Sequence, residues 1–277
     1  MSRLWRDRLL VSLAPGSVAL LRIAGGLRPR VIAKHAVDCD PAFGAEPWQG
    51  AIAALAEATG PLRGERLDAT VVLSNHFVRY ATVKTDAALT DREEQLALAR
   101  FHFARIYGER AKGWDVRMGE GARGEQRVAS AVDAGLIPAI GACFPRQGKA
   151  RLVSVQPYLM SAFNQWRGAM AKEDGWLMLV EPQRVCLALV AARQWASVQT
   201  LRGEYPGAED WAELLDRQQL RAGTEPASRS AHVHAPAGGK AVPGEAHGWK
   251  LLGLTLPPLA GFAPLEDARY AMALTAQ

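Results

Sequence analysis

The apolar positions of this chain come first in two adjoining runs, Leu9–Leu13 and Val18–Ile23, with Ala14-Pro15-Gly16-Ser17 between them. Pro presets one turn dihedral and Gly relieves the next, so the join predicts a tight hairpin. Runs without polar alternation belong to strands covered on both faces. Arg30–Val37 predicts a third strand. Glu46–Thr59 predicts a helix of small residues with Ile52 and Leu55 inward, stopped by Gly60-Pro61. Thr70–Ser74 then reads as a buried strand, which makes the order β-β-β-α-β.

The pattern changes at Phe77–Val83, which alternates apolar and polar as a half-exposed strand does. Thr90-Asp91-Arg92-Glu93 has the form of a capping box. It opens a predicted helix to Tyr107, ended by Gly108, with Leu96, Ala99, Phe103 and Ile106 on one face. Trp114–Met118 and Arg127–Val132 predict two strands about a glycine-rich turn at 119–124, and Ala134–Phe144 a helix aligning Leu136, Ile140 and Cys143. Residues 77–147 thus form an inserted β-α-β-β-α subdomain. The main sheet resumes at Arg151–Val155 and the helix Pro157–Met170 follows.

At Trp176 the opening order recurs. Two apolar runs flank Glu181-Pro182-Gln183-Arg184, then come a strand at Trp195–Leu201 and a helix at Ala208–Arg221. The chain therefore divides into a first half, 1–174, carrying the insertion, and a shortened second half, 175–277. The repeat is structural, with little residue identity. Between 222 and 248 the composition shifts to Ala, Gly, Pro, Ser and His without periodicity, which predicts a mobile loop. Trp249–Leu256 predicts one more strand and Leu265–Leu274 a final helix.

Composition adds mainly exclusions. With 277 residues and 49% hydrophobic content the chain is an ordinary globular one, and no uncharged apolar run reaches membrane-spanning length. The net charge of +5 is mild and its bases are scattered, which argues against a nucleic-acid partner. Arg3, Arg6 and Arg8 could supplement contact with an anionic membrane surface. The apolar segment after these bases contains the Pro-Gly turn, so the opening reads as mature chain rather than a leader. Cys39, Cys143 and Cys186 are odd in number and widely spaced, without metal-ligand spacing, and Cys143 and Cys186 read as small buried residues.

Candidate chemistry is sparse. His76 beside Asn75 has no legible nucleophile and acid around it, His232 and His234 read as solvated loop residues, and Glu181 as a strand-turn carboxylate in water. Catalysis and a metal site are accordingly not expected. Phe77, Arg79, Tyr80, Phe101, Phe103 and Tyr107 are more informative. Phe103 and Phe77 suit the core of the inserted subdomain. Aromatics and Arg left at the surface suit peptide capture, along a strand edge or otherwise.

Leu73-Ser-Asn-His-Phe-Val-Arg-Tyr80, the Glu93-Glu94 helix start, Ala134-Gly-Leu136, and Ser154-Val-Gln-Pro157 followed by Phe163-Asn164 resemble the PilM family. These are actin-like proteins of type IV pilus assembly, related to the cytoplasmic part of type II secretion protein L. The likeness runs over roughly residues 9–200, by order and spacing. It implies an α/β, actin-like (ribonuclease H-like) fold of tandem β-β-β-α-β halves with a small inserted α+β subdomain in the first.

The resemblance further implies a cytoplasmic scaffold at the inner face of the inner membrane, peripheral to it. Its partners would be the cytoplasmic tail of a bitopic membrane protein, held in a groove beside the inserted subdomain, and an assembly ATPase. By hot-spot chemistry Phe77, Arg79, Tyr80, Phe101 and Tyr107 are the residues expected at the tail. Many members bind ATP. Gly16 and Ser17 match the family's phosphate-turn Gly and Ser, and would carry any residual nucleotide contact, but Ala14 stands where the family has Asp. Glu181 falls near the second phosphate-turn Asp, with Pro182 and Arg184 in place of small residues. Magnesium needs oxygen ligands, so loss of that carboxylate predicts no hydrolysis and no required cofactor. The alternatives are an ATP-binding or ATP-hydrolysing actin-like protein or small-molecule kinase, and a filament-forming actin relative.

Overall fold

Strands β1 (Asp7–Ala14) and β2 (Ser17–Ile23) pair antiparallel, with Leu13 opposite Val18 and Ala14 opposite Ser17, so the predicted hairpin is there. They belong to a computed structural model that describes residues 6–85, 91–119, 125–145, 147–170, 174–223, 228–236, 242 and 244–277. Contacts group the chain into two units. One consists of residues 1–77, 134–165 and 256–277, the other of 78–133 and 166–255. The expected halves follow sequence order instead. The grouping differs from them because residues 256–277 return to the first sheet, and because residues 78–133 of the expected insertion 77–147 group with the second unit while its last helix stays with the first.

In the first unit β3 (Val31–Asp38), β4 (Leu67–Leu73) and β8 (Arg151–Pro157) complete a sheet of order β3-β2-β1-β4-β8. β1, β2 and β3 are antiparallel neighbours, and β1, β4 and β8 are parallel ones. Leu9, Val11, Leu13, Val18, Leu21, Val71 and Val72 are all buried, as continuous apolar runs require. The edge strand β3 is largely exposed along its middle. Helices α1 (Gln49–Thr59) and α3 (Leu136–Cys143) are each shorter than predicted, and α4 (Tyr158–Met170) follows β8.

The end of the chain is anchored on this sheet. Leu259, Ala273 and Leu274 pack with Leu10, Leu21 and Ile23, and Ser161 shares a 2.6 Å hydroxyl hydrogen bond with Thr275. The predicted final helix shrinks to a 3₁₀ turn and the short α6 (Ala271–Leu274). Asp267 is the polar clasp: Lys34 Nζ of β3 and the Ala263 N–H donate to it at 2.5 and 2.7 Å. Burial works to raise the Asp267 pKa, but these donors outweigh it and hold the carboxyl below its usual range. A carboxyl so depressed contributes stability above the unfolded pKa of about 3.9 and loses it as pH falls through the folded one. Asp267→Asn is expected to cost about 1–2 kcal/mol at neutral pH in urea unfolding, a gap that closes as pH falls through the depressed folded pKa. Equal stabilities at pH 7 would refute the clasp.

The second unit repeats the first sheet. β9 (Gly175–Glu181), β10 (Arg184–Ala191), β11 (Gln194–Arg202), β12 (Ser230–His234) and β14 (Trp249–Gly253), with the short β13 (Glu245–Ala246), run in the order β11-β10-β9-β12-β14-β13. β9, β10 and β11 are antiparallel neighbours and β9, β12 and β14 parallel ones, matching the first sheet strand for strand. Helix α5 (Ala208–Ala222) lies between β11 and β12 in the chain, where α1 lies between β3 and β4. The predicted duplication is therefore complete, and β12 supplies the strand that composition hid inside the expected loop 222–248. Of that stretch, residues 224–227, 237–241 and 243 lie outside the described residues.

The inserted subdomain has a three-stranded sheet, β5-β7-β6, from β5 (Arg79–Lys84), β6 (Trp114–Met118) and β7 (Gln126–Asp133). Its helix α2 (Arg92–Tyr107) buries Ala99 and Phe103 against Ala81, Val83, Val116, Ala129 and Ala131. Thr90 lies outside the described residues, and the observed N-cap is Asp91, whose carboxylate accepts the Glu93 N–H at 3.2 Å. Among the described residues no helix is long and apolar enough to cross a membrane.

Candidate functional site

The first turn is closed by backbone rather than shaped by glycine. The Cys39 N–H donates to Gly16 O at 3.0 Å, and the Ser74 N–H donates to Leu13 O at 2.9 Å. Gly16 is exposed, keeps a negative φ, and would place an added Cβ in open space, so any small residue fits there. Ala14 and Ser17 are half-buried. Ser17 pairs across the ladder with Asp38, and Asp40 caps Ala42 N–H at 2.8 Å. The Cys39 Sγ points at the turn, 3.3 Å from Pro15 O. Burial raises the Cys39 thiol pKa, and Asp38 and Asp40 raise it further. These two carboxylates at the turn were missed in the sequence reading because they lie on the far side of a ladder, more than twenty residues on. Asp38 is ion-paired with Arg269, and Asp40 is taken up by the Ala42 N–H.

The second turn differs. Gln183 takes the left-handed region at φ 57°, exposed at the tip with Pro182, while Arg184 behind it is buried. Arg184 stands opposite both Glu181 and Arg202 in the ladder. Burial lowers the pKa of Arg184, Arg79 and Arg202 lower it further, and Glu181 partly offsets them. Arg79 is likewise lowered by burial and by Arg202, while Tyr107 raises it. Like charges opposed across a ladder are unfavourable. Three guanidinium groups therefore converge where β5 packs beside β11, with Glu181 as a carboxylate among them. Arg184 Nε is buried without a hydrogen-bond partner among the described residues.

Against this corner stands the C-terminal end of α2. Tyr107 stacks with Phe103 at 6.3 Å between centroids and meets Trp114 edge-on at 5.0 Å. It remains 36% exposed, and its neighbour Ile106, expected to face the core, is 61% exposed. The small sheet covers Ala99 and Phe103, and in the last turn of α2 it is Tyr107 rather than Ile106 that packs on Trp114 at the start of β6. The structure thus brings Arg79 and Tyr107 together. Phe77 and Tyr80 are buried, so neither offers a free surface. Phe101 is 60% exposed but sits roughly 140° around the helix from Ile106, at about 100° per residue. Ile106, Trp114, Arg184 and Arg202 are the members the sequence reading left out of the site.

The remaining candidates are structural. His232 and His234 are not loop residues: both are buried in the parallel strand β12, and His234 packs against the Trp166 ring at 4.7 Å. His76 is half-buried, and its N–H donates to Ser74 Oγ at 3.2 Å. No cluster of three or more metal-ligating side chains occurs among the described residues. The cysteines are free, with Cys143 and Cys186 buried as expected.

No protein-family model matches the sequence, and no curated protein matches it. Solved structures do. The cytoplasmic domain of EpsL, an inner-membrane component of the type II secretion system of Vibrio cholerae, is similar over 98% of this chain and 96% of its own, at 13% identity and a TM-score of 0.59. The PilM–PilN type IV pilus biogenesis complex is similar over 80% of this chain and 68% of its own, at 16% identity and a TM-score of 0.52. A Bacteroides thetaiotaomicron protein with an actin-like ATPase fold and unknown function matches over both full lengths, at 9% identity and a TM-score of 0.59. Two sheets built to one strand order, with neighbours that span the whole chain, establish that this protein has the actin-like fold.

Proposed function

We propose that this protein is a non-catalytic scaffold at the cytoplasmic face of an inner membrane, holding the cytoplasmic tail of a single-span membrane protein of a pilus or secretion assembly. The likeness to PilM in complex with PilN and to the cytoplasmic domain of EpsL supports this setting. The observation that carries it is the exposed apolar end of α2. Ile106 and Tyr107 stand exposed beside Trp114 and a convergence of arginines, and aromatic, apolar and Arg groups are the side chains that dominate peptide hot spots. An extended tail would seat an apolar anchor on Ile106 and Tyr107 and direct carboxylate or carbonyl oxygens at Arg79 and Arg202. The non-catalytic reading draws on the first turn. Ala14 offers a methyl group where a magnesium ion would need an oxygen ligand.

Calorimetry with synthetic tails of bitopic inner-membrane proteins from the same assembly tests the proposal. Ile106→Asp is expected to weaken binding roughly tenfold, because it places a charge in the anchor site without touching the core. Phe101→Asp, on another side of the helix, is expected to leave affinity unchanged. Absence of binding by any such tail, or equal losses from both variants, would overturn the assignment.

A further inference from the structure

The geometry points to a second, unrelated site in the first unit: a pocket that binds a phosphate-bearing anion. Its volume is about 750 Å³, and it lies at the end of the sheet opposite the Ala14–Ser17 turn, where β1, β4 and β8 begin. Four cations line it: Arg6 before β1, Arg66 before β4, and Lys149 and Arg151 around the start of β8. Phe144 and Leu152 give it an apolar wall.

Charge bookkeeping among the neighbouring acids leaves this pocket positive. Asp68 is shared, accepting Arg6 Nη1 at 3.3 Å and Arg151 Nη2 at 3.2 Å. Asp7 and Glu65, the other acids at this end, are both engaged by Arg22. Arg66 and Lys149 have no carboxylate within ion-pair distance among the described residues, and both are exposed at the mouth. One carboxylate against four cations leaves a surplus of positive charge held in a concavity, where field lines are focused and screening is reduced. The backbone before Lys149 is hydrogen-bonded at two points. Gly148 N–H donates to Pro145 O at 2.8 Å and Lys149 N–H to Arg63 O at 2.9 Å, and a Cβ at Gly148 would come within 3.1 Å of Pro145 O.

Guanidinium forks and an ammonium are the donors that phosphate oxygens take best. Two or more negative charges match the surplus better than one. The ligand is therefore a soluble polyphosphate compound or the headgroup of an anionic phospholipid, two sources of the same chemistry. Two measurements separate them: calorimetry with inorganic tripolyphosphate, and co-sedimentation with phosphatidylglycerol–phosphatidylcholine vesicles against pure phosphatidylcholine.

The Arg66→Glu, Lys149→Glu double variant is the test, because neither side chain is engaged in an ion pair and the fold is left intact. It is expected to weaken binding roughly tenfold or more, and raising the salt concentration to weaken the wild type. Arg217→Glu with Arg221→Glu, exposed bases on α5 in the other unit, makes the same change in net charge and is expected to leave binding unaffected. Tripolyphosphate binding supports a soluble ligand, and vesicle binding without it supports a headgroup. Failure of both, or equal loss in the two double variants, would overturn the site.

Discussion

Trp249→Ala is expected to lower the unfolding free energy by about 3–5 kcal/mol, the largest effect of any single substitution considered, measured by urea denaturation followed by far-ultraviolet circular dichroism. Trp249 is fully buried in β14, among Trp176, Trp211, Leu215, Val233 and Leu251. Its indole also does more than fill space. Nε1 donates to Asp216 Oδ1 at 2.9 Å, and Arg229, itself paired with Asp216, lies over the ring at 4.7 Å. Trp176 on β9 makes the matching contact, donating to Gln219 Oε1 at 2.9 Å. Asp216 and Gln219 are three residues apart on α5 and share one face of it. Two indoles from different strands thus fix one helix on the second sheet. Trp249→Phe keeps most of the apolar burial and loses the hydrogen bond, so it should cost only about 1 kcal/mol. A loss below that figure for the alanine variant would mean that β14 is not integral to the sheet.

That tryptophan marks the boundary between what the residue pattern disclosed and what it hid. The two apolar hairpins, the insertion and the helix α5 were readable because each run is long enough to show its period. β12 was not. Ser230–His234 has five residues, two of them His, between stretches of Ala, Gly and Pro. Its burial comes from pairing on both sides, with β9 and β14, which is a tertiary fact no local window contains. The same limit acted at the site. Helical spacing put Ile106 on the face of Ala99 and Phe103, but Tyr107 takes the place on Trp114 and leaves Ile106 exposed. The convergence of Arg79, Arg184 and Arg202 depends on β5 lying beside β11, strands more than a hundred residues apart. Composition could count the arginines and could not bring them together.

The buried histidine of β12 makes the other large effect a pH effect. His234 is enclosed in the second sheet, and burial drives its pKa down from the ordinary 6.5 to about 3. The imidazole is therefore neutral in the native state across the working range, whereas the unfolded chain takes up a proton near pH 6.5. Protons then favour the unfolded state, so stability is complete above pH 6.5 and falls as pH drops toward 3. The linkage amounts to about 2 kcal/mol lost by pH 5 and about 3 kcal/mol by pH 4. Asp267 acts in a different window, since its contribution is lost only below the unfolded carboxyl pKa of about 3.9. Urea unfolding from pH 7 to pH 5 consequently separates the histidine from Asp267. His234→Leu, which cannot be protonated, is expected to remove that part of the slope whatever it does to stability at pH 7. Parallel curves for wild type and variant over that interval would show that His234 is not held neutral in the native state.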